Sequence, residues 1–171
     1  VNIHHDAGCL GAAVPDDVFK KRMDILQAMG CNAIRLSHNP HAEILLDYAD
    51  EIGMLIINEM YDKWEIGWHY WLLEGEAQTE YVKRTKKEFQ KTWKQDVTNW
   101  LNRDKNNPSN ILWSVGNETL EQLYAPEDGR RILEQLIGLV RKMDPGRQVT
   151  CVMHPGDENN KAEFPSTYVG Q

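Results

Sequence analysis

Apolar and polar positions along this chain follow two periods, and the periods trade places. Val1 to His4 is a short apolar start that fits a strand. "PDDVFKKRMDILQAMG" follows, with Val18, Phe19, Met23, Leu26 and Met29 on one helical face, Asp16 placed to cap it and Gly30 to stop it. "NAIRLSH" reads as a buried strand whose end turns polar. "HAEILLDYADEIG" returns to the helical period through Leu45, Tyr48, Ala49 and Ile52, with Gly53 as its stop, and "MLIINE" is a third strand. A long polar and aromatic segment intervenes. A helix is then expected from about Glu80 to Asn106, with Val82, Thr85, Phe89, Trp93, Val97, Trp100 and Leu101 at helical spacing and Pro108 past its end. "ILWSV" is a fourth strand. A helix through Ile132, Leu133, Leu136, Ile137 and Val140 runs to "DPG", and "VTCVM" is a fifth strand. The tail is loop-rich, and "TYVG" is read as the start of a sixth.

Strands that alternate with helices imply an α/β fold with a parallel sheet. Two architectures compete: an open doubly wound sheet and an eightfold barrel. The open sheet usually carries a glycine-rich G-x-G-x-x-G turn after its first strand. "HDAGCLGAAVP" has two glycines at the wrong spacing for it. Polar residues collect where the strands end: His4, His5 and Asp6; Arg35, Ser37 and His38; Asn58, Glu59 and Asp62; Asn117 and Glu118; His154. In a barrel all these ends share one face, the face that carries the chemistry. A full barrel takes about 250 residues. The expected fold is therefore a partial (β/α)8 TIM barrel of roughly five or six strands, with residues 1–171 forming a single partial domain of a longer, multi-domain parent.

Composition narrows the function. A net charge of -7 over 171 residues argues against a nucleic-acid phosphate binder. No apolar run approaches the roughly 20 residues of a membrane helix. Cys9, Cys31 and Cys151 form no zinc or redox motif and are read as buried or idle thiols. Trp64, Trp68, Tyr70 and Trp71 crowd one loop-like segment, either as core plugs or as a platform for the apolar face of a sugar ring.

Glu118 ends an apolar strand. A partly buried carboxyl there has its neutral form favoured, as a general acid needs; the plainer roles are a helix cap or an ion pair with Arg35. Arg35 in a barrel mouth can orient carboxylates or form a structural ion pair. His38 is placed to donate to a ligand hydroxyl. His4 and His5 are adjacent on a strand and point to opposite faces, so they do not form a metal pair. Lys63 and "KRTKKE" read as a solvated helix face.

"VNIHHDAGCLG", "MGCNAIRLSHNPHAEILLDYADEIGMLIINE" and "RDKNNPSNILWSVGNE", in this order, resemble the catalytic barrel of the family-2 glycoside hydrolases, β-galactosidases of gut-type bacteria above all. The resemblance implies a retaining exo-glycosidase that acts on terminal β-linked sugars, with galactosides first and β-glucuronides or β-mannosides as alternatives. It implies Glu118 as general acid/base and Asn117 at the 2-hydroxyl. Arg35 would support the catalytic carboxylates. His4 and His38 would line the pocket, and Asp62 and Trp64 would contact the sugar. The third-strand motif departs from the family's Asp-Glu, reading Asn58-Glu59. No metal and no cofactor is implied, since Glu65 and His69 are poorly placed for the magnesium pattern of some relatives.

The family's nucleophile ends strand seven, and Glu158 and Glu163 in the tail do not fit it, so it is expected outside this chain. The partner is a carbohydrate. A half barrel with unpaired edges is also expected to self-associate, and a non-catalytic carbohydrate-binding half barrel is the rival of another class. The compartment stays open between the bacterial periplasm and cytoplasm.

Overall fold

Five parallel strands form one sheet in sequential order: β1 (Asn2–His4), β2 (Ala33–Ser37), β3 (Leu55–Glu59), β4 (Asn110–Asn117) and β5 (Gln148–Val152). The computed structural model describes residues 1–154. The expected sixth strand at "TYVG" and the tail carboxylates Glu158 and Glu163 lie outside the described residues. A doubly wound sheet reverses its strand order at a switch point. This order never reverses, which is the progression of a barrel wall. The fold is α/β, a partial (β/α)8 barrel.

The helices are α1 (Asp16–Ala28), α2 (Glu43–Ile52), α3 (Gly75–Asp104), α4 (Glu121–Tyr124) and α5 (Pro126–Met143), with single 3-10 segments at Gly8–Leu10 and Trp68–Leu72. They cover one face of the sheet. Ile34, Leu36 and Ile56 pack there against Phe19 and Met23 of α1 and Leu45, Leu46 and Ala49 of α2. Trp113, Val115 and Val149 pack against Trp100 and Leu101 of α3 and Leu136 and Val140 of α5. Trp113 meets Trp100 edge to face, with centroids 4.5 Å apart. The periodicity therefore located the elements. It missed some ends. Pro15, not Asp16, holds the N-cap position of α1, and Asp16 lies in the first turn, where its charge still favours the helix dipole. Met29 lies past α1 and is exposed. α3 starts at Gly75 rather than Glu80; its first turn is polar, and the Gln78 amide ties it to the carbonyls of Tyr70 and Leu73. No helix among the described residues is long and apolar enough to cross a membrane.

The barrel-facing side of the sheet carries Arg35, Glu59 and Ser114. Alternation along β4 would send Asn117 to the opposite face from Ser114. A bulge prevents this. Ser114 pairs with Thr150 and Asn117 with Val152, so β4 holds one more residue than β5 over that interval. The extra residue resets the alternation and turns Asn117 into the barrel. Gly116 sits in the bulge because nothing larger fits. A Cβ there would lie 2.9 Å from the Trp64 ring and 3.0 Å from Cys151 Sγ.

Gly116→Ala is therefore expected to destabilise the protein by about 1–3 kcal/mol through overpacking, read as a lower urea midpoint. An unchanged midpoint would show that the Trp64–Gly116 contact is slack.

Candidate active site

The site grows from a carboxylate with nowhere else to go. Glu59 ends β3 on the barrel face and is 0% exposed. A charge so placed is costly unless it is paired and hydrogen-bonded. Four donor groups on three elements supply this. From β2, Arg35 Nε donates to Oε2 at 3.0 Å and Nη2 to Oε1 and Oε2 at 2.9 and 2.7 Å. His38 Nδ1 lies 2.6 Å from Oε1, and the Ser114 hydroxyl donates to Oε2 at 2.6 Å. The carboxylate makes His38 Nδ1 the protonated nitrogen, so His38 turns its Nε2 away from Glu59. His4, beside Ser37 in the β1–β2 register, meets His38 edge to face at 5.1 Å. His5 turns the other way, against Phe19 and His41. Adjacent histidines thus occupy opposite faces.

Arg35 Nη2 reaches one residue further, donating to Asn117 Oδ1 at 2.7 Å. The other end of that amide, Nδ2, donates to Asp62 Oδ1 at 3.1 Å. Oxygen toward a guanidinium and nitrogen toward a carboxylate fixes which way the amide points. Asp62 also accepts the Trp68 indole N–H on Oδ2. Arg35, His38, Glu59, Asp62 and Asn117 thus form one continuous network at the strand ends.

Glu118 follows directly and has φ +43°, the one non-glycine residue in the left-handed region among the described residues. That conformation costs an L-residue about 1–2 kcal/mol, and such outliers collect at functional sites. Its N–H donates to Val152 O at 2.8 Å. Neither plain role holds for Glu118. Arg35 pairs with Glu59 instead, and Leu120 occupies the N-cap position of α4.

Trp64 stands apart from the other sequence-selected residues. It is 5% exposed, packs in the α3–α5 core and donates its indole N–H to Val115 O at 2.8 Å. It is a core plug that seats the bulge beneath Gly116. The exposed rings of the segment are Trp68 and Trp71, 43% and 45% exposed, with centroids 5.4 Å apart and planes tilted by 59°.

The family model for the TIM barrel domain of family-2 glycosyl hydrolases matches residues 1–168. The chain belongs to glycoside hydrolase family 2. A β-galactosidase of Bacteroides ovatus is 39% identical over 71% of this chain and 13% of its own length. A putative β-glucuronidase of Formosa agariphila is 35% identical over 86% of this chain and 12% of its own length. A crystal structure of a family-2 member from Bacteroides cellulosilyticus, 37% identical, superposes with a TM-score of 0.74 over 89% of this chain and 18% of that one. The chain thus spans only about an eighth of these curated relatives.

Within this family-2 barrel, the fold gives three charged residues places that the sequence pattern does not show. Glu59 ended a strand like the others, but only the register showed it to be the hub. Asn58, the residue before it, faces the helices, bonded to Asp104 and Trp100. Lys63 is no solvated helix residue; it is half-buried in the loop after β3 and donates to backbone carbonyls. Glu121, in α4 just beyond Glu118, is 0% exposed and accepts the Ile66 N–H on Oε1 at 2.6 Å, while Oε2 has no hydrogen-bond partner among the described residues. Nearby Glu65 is satisfied by Lys86, Arg131 and Gln90.

Burial pushes the Glu121 carboxyl up to about 7, against the opposing pull of the Ile66 N–H. The folded state then binds more protons than the unfolded state between the ordinary value of 4.5 and about 7. Stability from this group is full below the lower value and is lost as pH rises through the upper one. Glu121→Gln should therefore gain stability relative to the parent sequence between those limits. The gain is on the order of 3 kcal/mol and flattens above the upper limit. Urea titrations across pH test this, and a pH-independent difference would refute it.

Proposed function

We propose that this domain is part of the catalytic barrel of a retaining exo-glycosidase that removes terminal β-linked sugars, β-galactosides first. The observation that carries the reading is Glu118. It is an uncommon left-handed glutamate at the mouth of a barrel, beside an amide oriented by Arg35 and Asp62. In this reading Glu118 protonates the glycosidic oxygen as the bond to the anomeric carbon breaks. A second carboxylate attacks the opposite face and forms a glycosyl-enzyme. Glu118, now ionised, takes a proton from water, which displaces the enzyme carboxylate. That nucleophile must lie about 5–5.5 Å from Glu118, and we assign it to a barrel strand beyond the five described.

Asn117 addresses the sugar 2-hydroxyl. Its amide is held from both ends, which supports binding without reorganisation. Arg35 keeps that amide in place, His38 and His4 form the pocket wall, and Asp62 fixes the far side. Trp64 supports the site from behind. The β-galactosidase name of the Bacteroides ovatus relative supports galactose. The β-glucuronidase names of other relatives make a glucuronide the second substrate to assay.

In the full-length protein that carries this domain, Glu118→Gln is expected to lower kcat/KM on alkyl β-galactosides by about 10²–10⁴-fold and on dinitrophenyl β-galactoside far less. A dinitrophenolate departs without protonation. Equal losses on both substrates would remove Glu118 from the acid role. Turnover of the β-glucuronide alone would replace galactose and leave the mechanism standing.

A further inference from the structure

Lys63 lies in the loop between β3 and the Trp68–Leu72 segment, half-buried. Its Nζ donates to two successive backbone carbonyls, Asn117 O at 3.0 Å and Glu118 O at 2.7 Å. The ammonium also lies 3.8 Å from the centroid of the Trp68 ring. Burial pulls the Lys63 ammonium down from its ordinary value, and the Asp62, Glu118 and Glu121 carboxylates push it back up.

The backbone direction of a residue is set by the two peptide planes that flank it. The plane between Asn117 and Glu118 is held at both ends, its carbonyl by Lys63 and its N–H by Val152 O. The plane after Glu118 is held through its carbonyl, again by Lys63. One ammonium therefore spans both planes around the left-handed Glu118. With φ and ψ fixed in this way, the side-chain torsions alone remain to direct the carboxyl.

We propose that Lys63 is a positioning residue that imposes the left-handed backbone of Glu118 and so aims the acid/base carboxyl at the leaving-group oxygen. The inference rests on the reading of Glu118 as the acid/base. The Lys63 ammonium is taken up by the Asn117 and Glu118 carbonyls, so it acts through Glu118. Without it the Asn117 and Glu118 carbonyls lose a charged donor, and Glu118 is free to relax toward a right-handed backbone. The carboxyl then swings away from the oxygen it must protonate. A substrate that needs protonation suffers, and one with an activated leaving group does not.

The test uses the full-length protein, with Lys63→Met, Lys63→Arg and Glu118→Gln assayed on alkyl and dinitrophenyl β-galactosides (or on the glucuronides, if those are the substrates turned over). Lys63→Met is expected to lower kcat/KM on the alkyl glycoside by roughly 10–100-fold and to stay within about 3-fold of the parent on the dinitrophenyl glycoside. Lys63→Arg, whose fork can donate to both carbonyls, is expected to recover most of the loss. Equal losses on the two substrates, or no loss, would overturn the proposal, as would an arginine variant no better than methionine. If Lys63→Met fails to fold, the arginine variant decides: near-parent rates on both substrates support the proposal, and a large loss on both overturns it. Glu118→Gln separates the two levels. If it is selective for the leaving group and Lys63→Met is not, only the Lys63 proposal fails. If Glu118→Gln is itself unselective, the acid/base reading fails and takes this inference with it.

Discussion

The buried ion pair between Arg35 and Glu59 is the constraint on which the site depends. Glu59 has no access to water. Its charge is tolerable only because a guanidinium, an imidazole and a hydroxyl converge on it from β2, the loop after β2, and β4. Removing one partner of such a pair typically costs about 3–5 kcal/mol, because the other charge is left uncompensated. That penalty locks the strand register locally. Arg35 cannot rotate away from Glu59, so the Nη2 that serves Glu59 also stays aimed at Asn117. The network then extends through Asp62 to Trp68 and ends at the aromatic loop. An arginine that serves a buried carboxylate thereby fixes an amide in the mouth of the barrel before any ligand arrives.

A second constraint is the bulge in β4. A regular strand would hide Asn117 among the helix-facing core. The extra residue turns it into the barrel, and the same irregularity leads into the left-handed Glu118. Trp64, Gly116 and Cys151 fill the space behind it. The loop after β3 thus serves both faces of β4. Its tryptophan Trp64 packs beneath the bulge, and its lysine Lys63 holds the carbonyls above it.

Much of this was legible in the sequence. The trade of helical and strand periods placed five strands and their helices, because the helices show an apolar face at helical spacing and the strands between them are short, largely buried runs that end in polar residues. Polar residues at successive strand ends named Arg35, His38, Asn117 and Glu118 as neighbours. Other features were not legible. A bulge leaves no mark in hydrophobic pattern, so the facing of Asn117 could not be read. Lys63 sits among polar residues, and only the fold shows its ammonium turned inward. Trp64 fell in a segment rich in tryptophan, where sequence cannot separate a ring that plugs a core from one that meets a ligand. Glu121 lies in a four-residue helix, too short to show a period. Glu59 was visible as a strand end, but its place at the centre of the network depends on register and not on spacing.

Glu59 orients Asn117 through Arg35, and a double-mutant cycle in the full-length protein tests this most directly. Glu59→Gln, Asn117→Ala and the double variant are compared by kcat/KM on one glycoside. If the ion pair acts through Arg35 on the amide, the two losses overlap, and the double variant is better than their sum by about 1 kcal/mol or more. Strictly additive losses would mean that the amide is held without the pair, and would contradict the account.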